Sequence, residues 1–253
     1  MKTYVMTGAT TGIGAAVREA LQARGDRVVN IDIRDADIEV DLATEAGRRT
    51  AIDAVKTAHA DGIDGWIPCA GLGPQFENIQ TIVSLNFFHV RKLTEAFKEL
   101  LAKKSGTSVL IASNSAPMPG LDEALLDAMV GENDEEKANA RILELNGFQA
   151  YAGSKAALCR WMRQLAPEWA REGLRVNAVA PGTTQTPLLD AGLEDEVYGP
   201  AIRAFEVPIG HFAKPEQIAK GVLFLLGDDA DFCVGSVLFV DGGSDAMIRP
   251  NGF

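Results

Sequence analysis

The sequence predicts an α/β fold built on a doubly wound parallel sheet with helices on both faces. Short apolar runs alternate with amphipathic helical stretches along the chain, which is typical of repeated β-α-β units. A glycine-rich turn joins the first apolar run to the first helix. The 253 residues, 47% of them hydrophobic, are enough to bury one full core. We therefore predict a single domain that spans residues 1–253.

Charge and cysteine content limit the partners and the location of the protein. A net charge of −11 argues against nucleic acid or an anionic membrane as a partner, because both attract basic surfaces. The three cysteines are an odd number without zinc-ligand spacing, which favours reduced thiols and no bound metal. The sequence has no apolar run as long as a membrane span. We expect a cytoplasmic protein that acts on a small molecule.

The first predicted strand, over residues 3–7, leads into a turn rich in glycine, and a helix over 15–24 follows. Glycines let the backbone turn sharply and approach a pyrophosphate, while unpaired N–H groups at the helix start face the anion. We therefore predict that the turn binds a dinucleotide. Its cofactor-binding residues are Gly8, Ala9, Thr10, Thr11, Gly12, Ile13 and Gly14. An ordinary tight turn is the alternative interpretation of the same glycines.

The second strand, over 27–33, carries an acid near its end. Asp32 lies eighteen residues after Gly14, near the distance at which a carboxylate meets the adenosine ribose. Such a carboxylate accepts hydrogen bonds from both ribose hydroxyls and repels a 2′-phosphate, so NAD is favoured over NADP. We place Ile33 in the same site. Asp32 could instead only cap a loop, and Arg34 keeps NADP open as the cofactor.

Other strand ends complete the predicted cofactor site, because doubly wound sheets bind ligands outside the carboxyl ends of their strands. The remaining predicted elements are strands over 38–41, 63–70, 109–113, 174–180 and 237–240 and helices over 44–58, 78–103, 148–171 and 215–226. The cofactor-binding residues at the strand ends are Asp41, Leu42, Ala70, Gly71, Pro181, Gly182, Thr184 and Thr186. For Asp41 and Leu42, plain loop structure is the alternative.

Tyr151 and Lys155 stand four residues apart in a helix-forming run, which places both on one helical face. A free tyrosine has a pKa of about 10, so it accepts a proton at neutral pH only where positive charge stabilises the phenolate. Lys155, together with a nicotinamide cation, could supply that charge, lower the pKa of Tyr151 and so let the phenol take a proton from an alcohol. A surface tyrosine with a solvated lysine is the alternative.

Two further polar residues are catalytic candidates because of this pair. Ser113 ends the strand over 109–113, at the edge where such sheets bind ligands. Asn86 is polar among apolar neighbours in the helix over 78–103, so we expect it to be buried and hydrogen-bonded. Without Tyr151, a structural role would be the ordinary interpretation of each.

Two segments extend the basic fold. Residues 117–147 contain two predicted helices, over 121–130 and 134–145, and form a candidate lid or subunit-contact insert; a solvated surface excursion is the alternative. The packing positions expected there are Leu125, Leu126, Met129, Ile142 and Leu143. Residues 187–212 are irregular and rich in apolar side chains, which predicts a mobile cover over a greasy substrate. A packed surface helix is the alternative for that segment.

Several motifs follow one another along the whole chain. They are Thr7-Gly-x-x-x-Gly-Ile-Gly14, Asp32, Asn86, Ser113, Tyr151-x-x-x-Lys155, Pro181-Gly and Asp241-Gly-Gly. In kind and order they resemble those of the short-chain dehydrogenase/reductases, which implies a Rossmann-type fold. Four stretches and the long insert look similar to the bacterial 3α-hydroxysteroid dehydrogenase/carbonyl reductases within that superfamily. The stretches are Asn30-Ile-Asp-Ile-Arg-Asp35, Cys69-Ala-Gly-Leu-Gly-Pro-Gln75, Tyr151-Ala-Gly-Ser-Lys155 and Thr186-Pro-Leu-Leu189.

The resemblance implies a role for each candidate. Tyr151 would be the catalytic acid/base, Lys155 would lower its pKa and hold the nicotinamide ribose, and Ser113 would bind the substrate oxygen. Asn86 would anchor a water that links Lys155 to solvent. Thr186 would bind the carboxamide of the nicotinamide.

These inferences predict an NAD-dependent oxidoreductase that interconverts a secondary alcohol and a ketone, with an alicyclic or hydroxysteroid-like substrate. Another small carbonyl, a polyol or a 3-oxoacyl compound is the alternative substrate. A non-catalytic dinucleotide sensor is the alternative from another class, although a sensor needs no proton relay.

Assembly is expected to depart from the superfamily's usual pattern. Its members usually pair through the helices that here carry Asn86 and Tyr151, and an insert just before Tyr151 could obstruct that surface. We expect a homodimer or homotetramer, and favour a dimer formed through another face.

Overall fold

The computed structural model describes residues 1–252 and contains one sheet of seven parallel strands. The strands are β1 (Thr3–Thr7), β2 (Arg27–Asp32), β3 (Ile38–Glu39), β4 (Gly65–Pro68), β5 (Thr107–Ile111), β6 (Arg175–Pro181) and β7 (Val237–Val240). Their order in the sheet is β3-β2-β1-β4-β5-β6-β7. The winding direction reverses between β1 and β4, so the carboxyl ends of the strands open a crevice there. The predicted doubly wound fold is confirmed.

Helices cover both faces of the sheet and create two cores. They are α1 (Gly12–Ala23), α2 (Glu45–Ala58), α3 (Ile79–Val83), α4 (His89–Ala102), α5 (Glu123–Val130), α6 (Glu135–Ile142), α7 (Gly147–Arg171), α8 (Pro187–Glu194), α9 (Gly199–Ala204), α10 (Pro215–Leu226) and α11 (Ser244–Ile248). Along β1, Val5 packs into the core under α2, α4 and α7, while Tyr4 and Met6 pack into the core under α1 and α10. This alternation is the two-residue period of a strand covered on both faces.

The predicted helix over 78–103 is interrupted by a π-helical turn, Ser84–Phe88, between α3 and α4. The amide of His89 donates to the carbonyl of Ser84, five residues back, instead of the usual four. Hydrophobic periodicity did not reveal this turn because the residues around it are apolar on more than one side of the helix, which hides the shift that one extra residue causes. Asn86 lies within it, and π-turns occur frequently at functional sites.

The insert packs against the body of the protein through both of its helices. Its apolar side chains Leu125, Leu126, Met129 and Ile142 are buried, as predicted. Leu143 is 65% exposed, so its predicted packing role is wrong; α6 ends at Ile142, and the next residue points outward. Helix α5 contacts α7, and α6 contacts α3. A solvated excursion is therefore wrong for this segment.

The segment over 187–212 is more regular than the sequence indicated, since it contains the short helices α8 and α9. Pro187 begins α8, where its fixed φ and missing N–H are tolerated. All three cysteines are free thiols. Within the described residues, none of the helices combines the length and the apolar character that crossing a membrane requires.

Candidate active site

The predicted site residues converge on one cleft of about 850 Å³ at the carboxyl ends of the strands. One end is formed by the glycine-rich turn, Asp32 and the loop after β3, and the other by α8 and α9. Ser113, Tyr151 and Lys155 line it between those ends. All predicted site residues line the cleft except Ala9, Thr10 and Asn86.

The glycine-rich turn is shaped by contacts that leave no room for side chains. A Cβ on Gly8, whose φ is +65°, would lie 2.5 Å from the amide nitrogen of Ala70. A Cβ on Gly14 would lie 2.0 Å from the carbonyl oxygen of Gly8. The turn is therefore more specific than an ordinary tight turn, because two of its glycines are required by close backbone approach.

Ala9 and Thr10 do not line the cleft and are instead hydrogen-bonded to the buried side chain of Asn30. The Oδ1 of Asn30 accepts a hydrogen bond from the amide of Ala9 at 3.0 Å, and its Nδ2 donates to the Oγ1 of Thr10 at 3.0 Å. No role was predicted for Asn30 from the sequence. A buried asparagine in the strand after a glycine-rich turn was the available signal, since such a group needs partners.

Asp32 ends β2 with its carboxylate in the cleft wall. Its Oδ1 accepts a hydrogen bond from the amide of Ile33 at 2.8 Å, and its Oδ2 accepts one from the amide of Thr10 at 3.4 Å. These bonds fix the carboxylate and leave lone pairs on both oxygens for a ligand. The loop after β3 continues this wall, where Asp41 and Leu42 also line the cleft.

Ser113, Tyr151 and Lys155 come together from β5 and α7. Ser113 lies two residues beyond β5 and is hydrogen-bonded to the phenol of Tyr151. Lys155, one turn further along α7, donates from Nζ to the carbonyl oxygen of Ile111 at 2.8 Å. Ser115 is a further cleft residue that the sequence analysis missed: its hydroxyl and its amide both donate to Ser113 Oγ.

The electrostatics of Tyr151 differ from the prediction. Burial raises the pKa of Tyr151, and the hydrogen bond to Ser113 lowers it only in part. Burial also lowers the pKa of Lys155 to about 8. The predicted lowering of the Tyr151 pKa is therefore wrong for the free protein. Desolvation of the phenol dominates, and the ammonium of Lys155, which is bound to the carbonyl of Ile111, is not among the groups that shift this pKa.

Asn86 is fully buried and acts on the loop beside the cleft. Its Oδ1 accepts a hydrogen bond from the amide of Leu72 at 2.8 Å, and its Nδ2 donates to the carbonyl of Leu72 at 3.0 Å. Both polar groups of the side chain are thus used by one loop residue. The side chain positions the loop that follows β4, and Gly71 in that loop lines the cleft next to Lys155.

The end of the cleft near α8 is lined mainly by apolar side chains, and two polar contacts fix α8 there. Thr186 caps α8, because its Oγ1 accepts from the amide of Leu189 at 3.3 Å. Gln75, which the sequence analysis did not single out, donates to the carbonyl of Leu188 at 3.1 Å and so joins the loop after β4 to α8. The apolar side chains at this end are Met118, Phe148, Leu188, Leu189, Ile202 and Phe205.

Two family models match most of the chain. One, described as short chain dehydrogenase, matches residues 2–125, and one described as enoyl-(acyl carrier protein) reductase matches residues 139–245. The chain is 41% identical to the 3-alpha-hydroxysteroid dehydrogenase/carbonyl reductase of Comamonas testosteroni, covering 100% of both proteins. It is 31% identical to the cis-4-hydroxycyclohexanecarboxylate dehydrogenase of Sinomonas cyclohexanicum, covering 96% of each.

A solved structure is similar over almost the whole chain. It is the 3-alpha-hydroxysteroid dehydrogenase from Pseudomonas sp. B-0831 complexed with NADH, with a TM-score of 0.96 and 40% identity. The similarity covers 99% of this chain and 100% of that one. The agreement includes the insert and both ends of the cleft, since so little of either chain is left outside it.

Proposed function

The chain belongs to the short-chain dehydrogenase/reductase family as an oxidoreductase of alcohols and ketones, and from this premise we propose its cofactor, substrate class and site roles. The cofactor is NAD(H), and the substrate is an alicyclic or hydroxysteroid-like secondary alcohol or ketone. The observation that carries this proposal is that Ser113, Tyr151 and Lys155 line one cleft between a glycine-rich polar end and an apolar end.

The polar end suits a dinucleotide. The glycine-rich turn offers backbone N–H groups at the start of α1. Its glycines carry no side chains that would keep a pyrophosphate from approaching the backbone. Asp32 would accept hydrogen bonds from the adenosine ribose and repel the 2′-phosphate of NADP. Thr186 and Thr184, at the far side of the turn, would hold the carboxamide end.

The protein's own residues move the proton and hold the substrate oxygen. When bound, the nicotinamide supplies the chemistry of hydride transfer. Ser113 donates a hydrogen bond to the substrate oxygen, and Tyr151 exchanges a proton with it. Because burial keeps the pKa of Tyr151 high, the phenol is protonated at neutral pH and suited to donate that proton to a ketone. Positive charge near the phenol stabilises the phenolate, which accepts the proton of an alcohol, and so favours oxidation.

Lys155 would bridge the two parts of the site. Its ammonium is bound to the carbonyl of Ile111 and lies beside Gly71 in the cleft wall, from where it would bind a hydroxyl of the nicotinamide ribose. Both polar groups of the Asn86 side chain are hydrogen-bonded to Leu72 in the adjoining loop. The predicted water relay would therefore pass beside that loop and would not bind the side-chain amide of Asn86.

The apolar end supports a rigid hydrophobic substrate. Its wall of aromatic and branched side chains can bury a greasy ring system, with the substrate oxygen directed at Ser113 and Tyr151. Two of the similar proteins are named for a hydroxysteroid and a hydroxycyclohexane carboxylate, both alicyclic alcohols. Helices α8 and α9 would act as the cover over this end, with Gln75 as their contact to the loop after β4.

A spectrophotometric screen tests this function. Formation of NADH from NAD and of NADPH from NADP is measured over hydroxysteroids, simple cyclic alcohols, polyols and 3-hydroxyacyl thioesters. We expect the highest kcat/KM for an alicyclic alcohol with NAD. A preference for polyols or acyl thioesters would overturn the substrate class. NADH binding without turnover of any compound would favour the dinucleotide sensor.

We also propose that the protein dimerises through a face other than α4 and α7. Arg91 on α4 donates to the carbonyls of Met129 and Val130, and Arg160 on α7 pairs with Glu123, so insert residues occupy those helices. Analytical ultracentrifugation gives the mass, and cross-linking with mass spectrometry identifies the face. A cytoplasmic location stays a prediction.

A further inference from the structure

Arg48 in α2 is a buried arginine outside the cleft, only 2% exposed. A buried guanidinium costs free energy unless its donors and its charge are matched. The hydrogen-bond acceptors of Arg48 belong to three different parts of the fold: the loop after β3, the π-turn and the insert. No role was predicted for Arg48 from the sequence.

The contacts of Arg48 form a single fork. Its Nε donates to the carbonyl of Leu42 at 2.8 Å, and its Nη2 donates to the carbonyl of Ala43 at 3.0 Å. Nη2 also reaches the carbonyl of Ser84 at 3.1 Å. Glu135 of the insert accepts from Nη1 at 2.6 Å and from Nη2 at 2.8 Å. The guanidinium plane is therefore set by a bidentate pair on one side and by backbone carbonyls on the other.

We infer that Glu135 and Arg48 are positioning residues for the adenine end of the cofactor site. Leu42 and Ala43, the carbonyls of which Arg48 holds, both line the cleft beside Asp32. The insert thus fixes the cofactor wall from outside, through an ion pair, and is more than a surface cover. This inference rests on the proposed NAD(H) function, because it assigns that end of the cleft to adenosine.

The physical reason lies in the geometry of the fork. The guanidinium is planar and rigid, so the direction of Nε toward Leu42 depends on the direction of Nη1 and Nη2 toward Glu135. Without the carboxylate, the buried cation would turn toward other acceptors or water, and the loop at Leu42 and Ala43 would lose its fixed shape. A preformed loop lowers the ordering cost of ligand binding.

The test compares two cofactor forms in the full-length protein. Isothermal titration measures Kd for NADH and for reduced nicotinamide mononucleotide, which lacks adenosine. Glu135→Gln and Glu135→Ala remove the charge partner. Glu123→Gln is the matched control, because Glu123 also belongs to the insert and pairs with an arginine, Arg160, but contacts no cleft loop through it. Thermal unfolding confirms that each variant is folded, and Glu135→Gln replaces Glu135→Ala should the latter not fold.

We expect Glu135→Gln to raise Kd for NADH by at least about fivefold, the lower range of coupling between sites. Kd for the mononucleotide and kcat at saturating NADH should stay unchanged, as should all three values in Glu123→Gln. The inference would be overturned if Kd rose equally for both ligands, if Kd rose for neither, or if Glu123→Gln had the same effect as Glu135→Gln. Wild-type protein that binds no NADH would instead refute the proposed function.

Discussion

The hydroxyl and the amide of Ser115 both donate hydrogen bonds to the Oγ of Ser113, at 3.0 and 3.1 Å. A hydroxyl oxygen has two lone pairs and one hydrogen, so accepting two bonds leaves Ser113 only its own hydrogen to offer. Ser113 is therefore set as a donor. That orientation suits the oxygen of a ketone or alcohol placed between Ser113 and Tyr151.

The first prediction is that Ser115→Ala lowers kcat for ketone reduction by about fivefold, since one lost hydrogen bond of about 1 kcal/mol lets the Ser113 hydroxyl rotate. Kd for NADH should stay the same because Ser115 acts at the substrate oxygen. Steady-state kinetics and NADH titration measure both, and Ser115→Thr should restore most of kcat. An unchanged kcat in Ser115→Ala would contradict the role.

The second prediction is that Tyr151→Phe lowers turnover by at least about 10²-fold, because it deletes the proton donor. NADH binding should be nearly intact, since the phenyl ring keeps its packing. Tyr198→Phe is the matched control, as Tyr198 also lines the cleft but has no hydrogen bond to Ser113. Comparable loss in both variants, or retained turnover in Tyr151→Phe, would refute the assignment.

The third prediction is that Asp32→Ala relaxes the cofactor preference toward NADP, because it removes the negative charge expected beside the 2′ position. The ratio of kcat/KM values for NAD and NADP should fall by at least about tenfold, equivalent to about 1.4 kcal/mol. Glu39→Ala is the control. Glu39 is an acid directly opposite Asp32 in the register of β2 and β3, but it does not line the cleft. If the ratio stays the same, another group selects the cofactor.

Features that depend on local chain chemistry could be predicted from the sequence. Strand and helix types follow from hydrophobic periodicity, and the doubly wound order follows from alternating strands and helices. The glycine-rich turn, Asp32, Ser113, Tyr151 and Lys155 stand at strand ends and on one helical face, so pattern and spacing were enough to group them.

Features that depend on tertiary contacts could not be predicted from the sequence. Asn30, Arg48 and Ser115 are common residue types, and only the folded chain reveals which atoms they meet. The π-turn that holds Asn86 differs from an α-turn by one hydrogen bond. The Tyr151 pKa was predicted in the wrong direction for a similar reason, because helical spacing gives the nearness of Lys155 and does not give the burial of the phenol.

The last prediction concerns the dependence of stability on pH. Burial lowers the pKa of Lys155 from 10.5 to about 8, whereas the unfolded chain keeps the ordinary value. Between those two values the unfolded state binds more protons, so the contribution of Lys155 to stability rises with pH. Below about pH 8 the group imposes its full cost on the folded state. The shift corresponds to about 3 kcal/mol.

Lys155→Met removes this titration and serves as the comparison. The free energy of unfolding of the variant minus that of wild type should be greatest at pH 7 and should fall by about 3 kcal/mol as the pH approaches 10.5. Urea unfolding followed by tryptophan fluorescence measures the difference. Cys69 and Cys159, whose pKa values burial raises to about 12, titrate in both proteins, so their contribution largely cancels. A difference that is constant with pH would show that the buried ammonium is not destabilised, and Lys155 would then be as basic in the fold as in water.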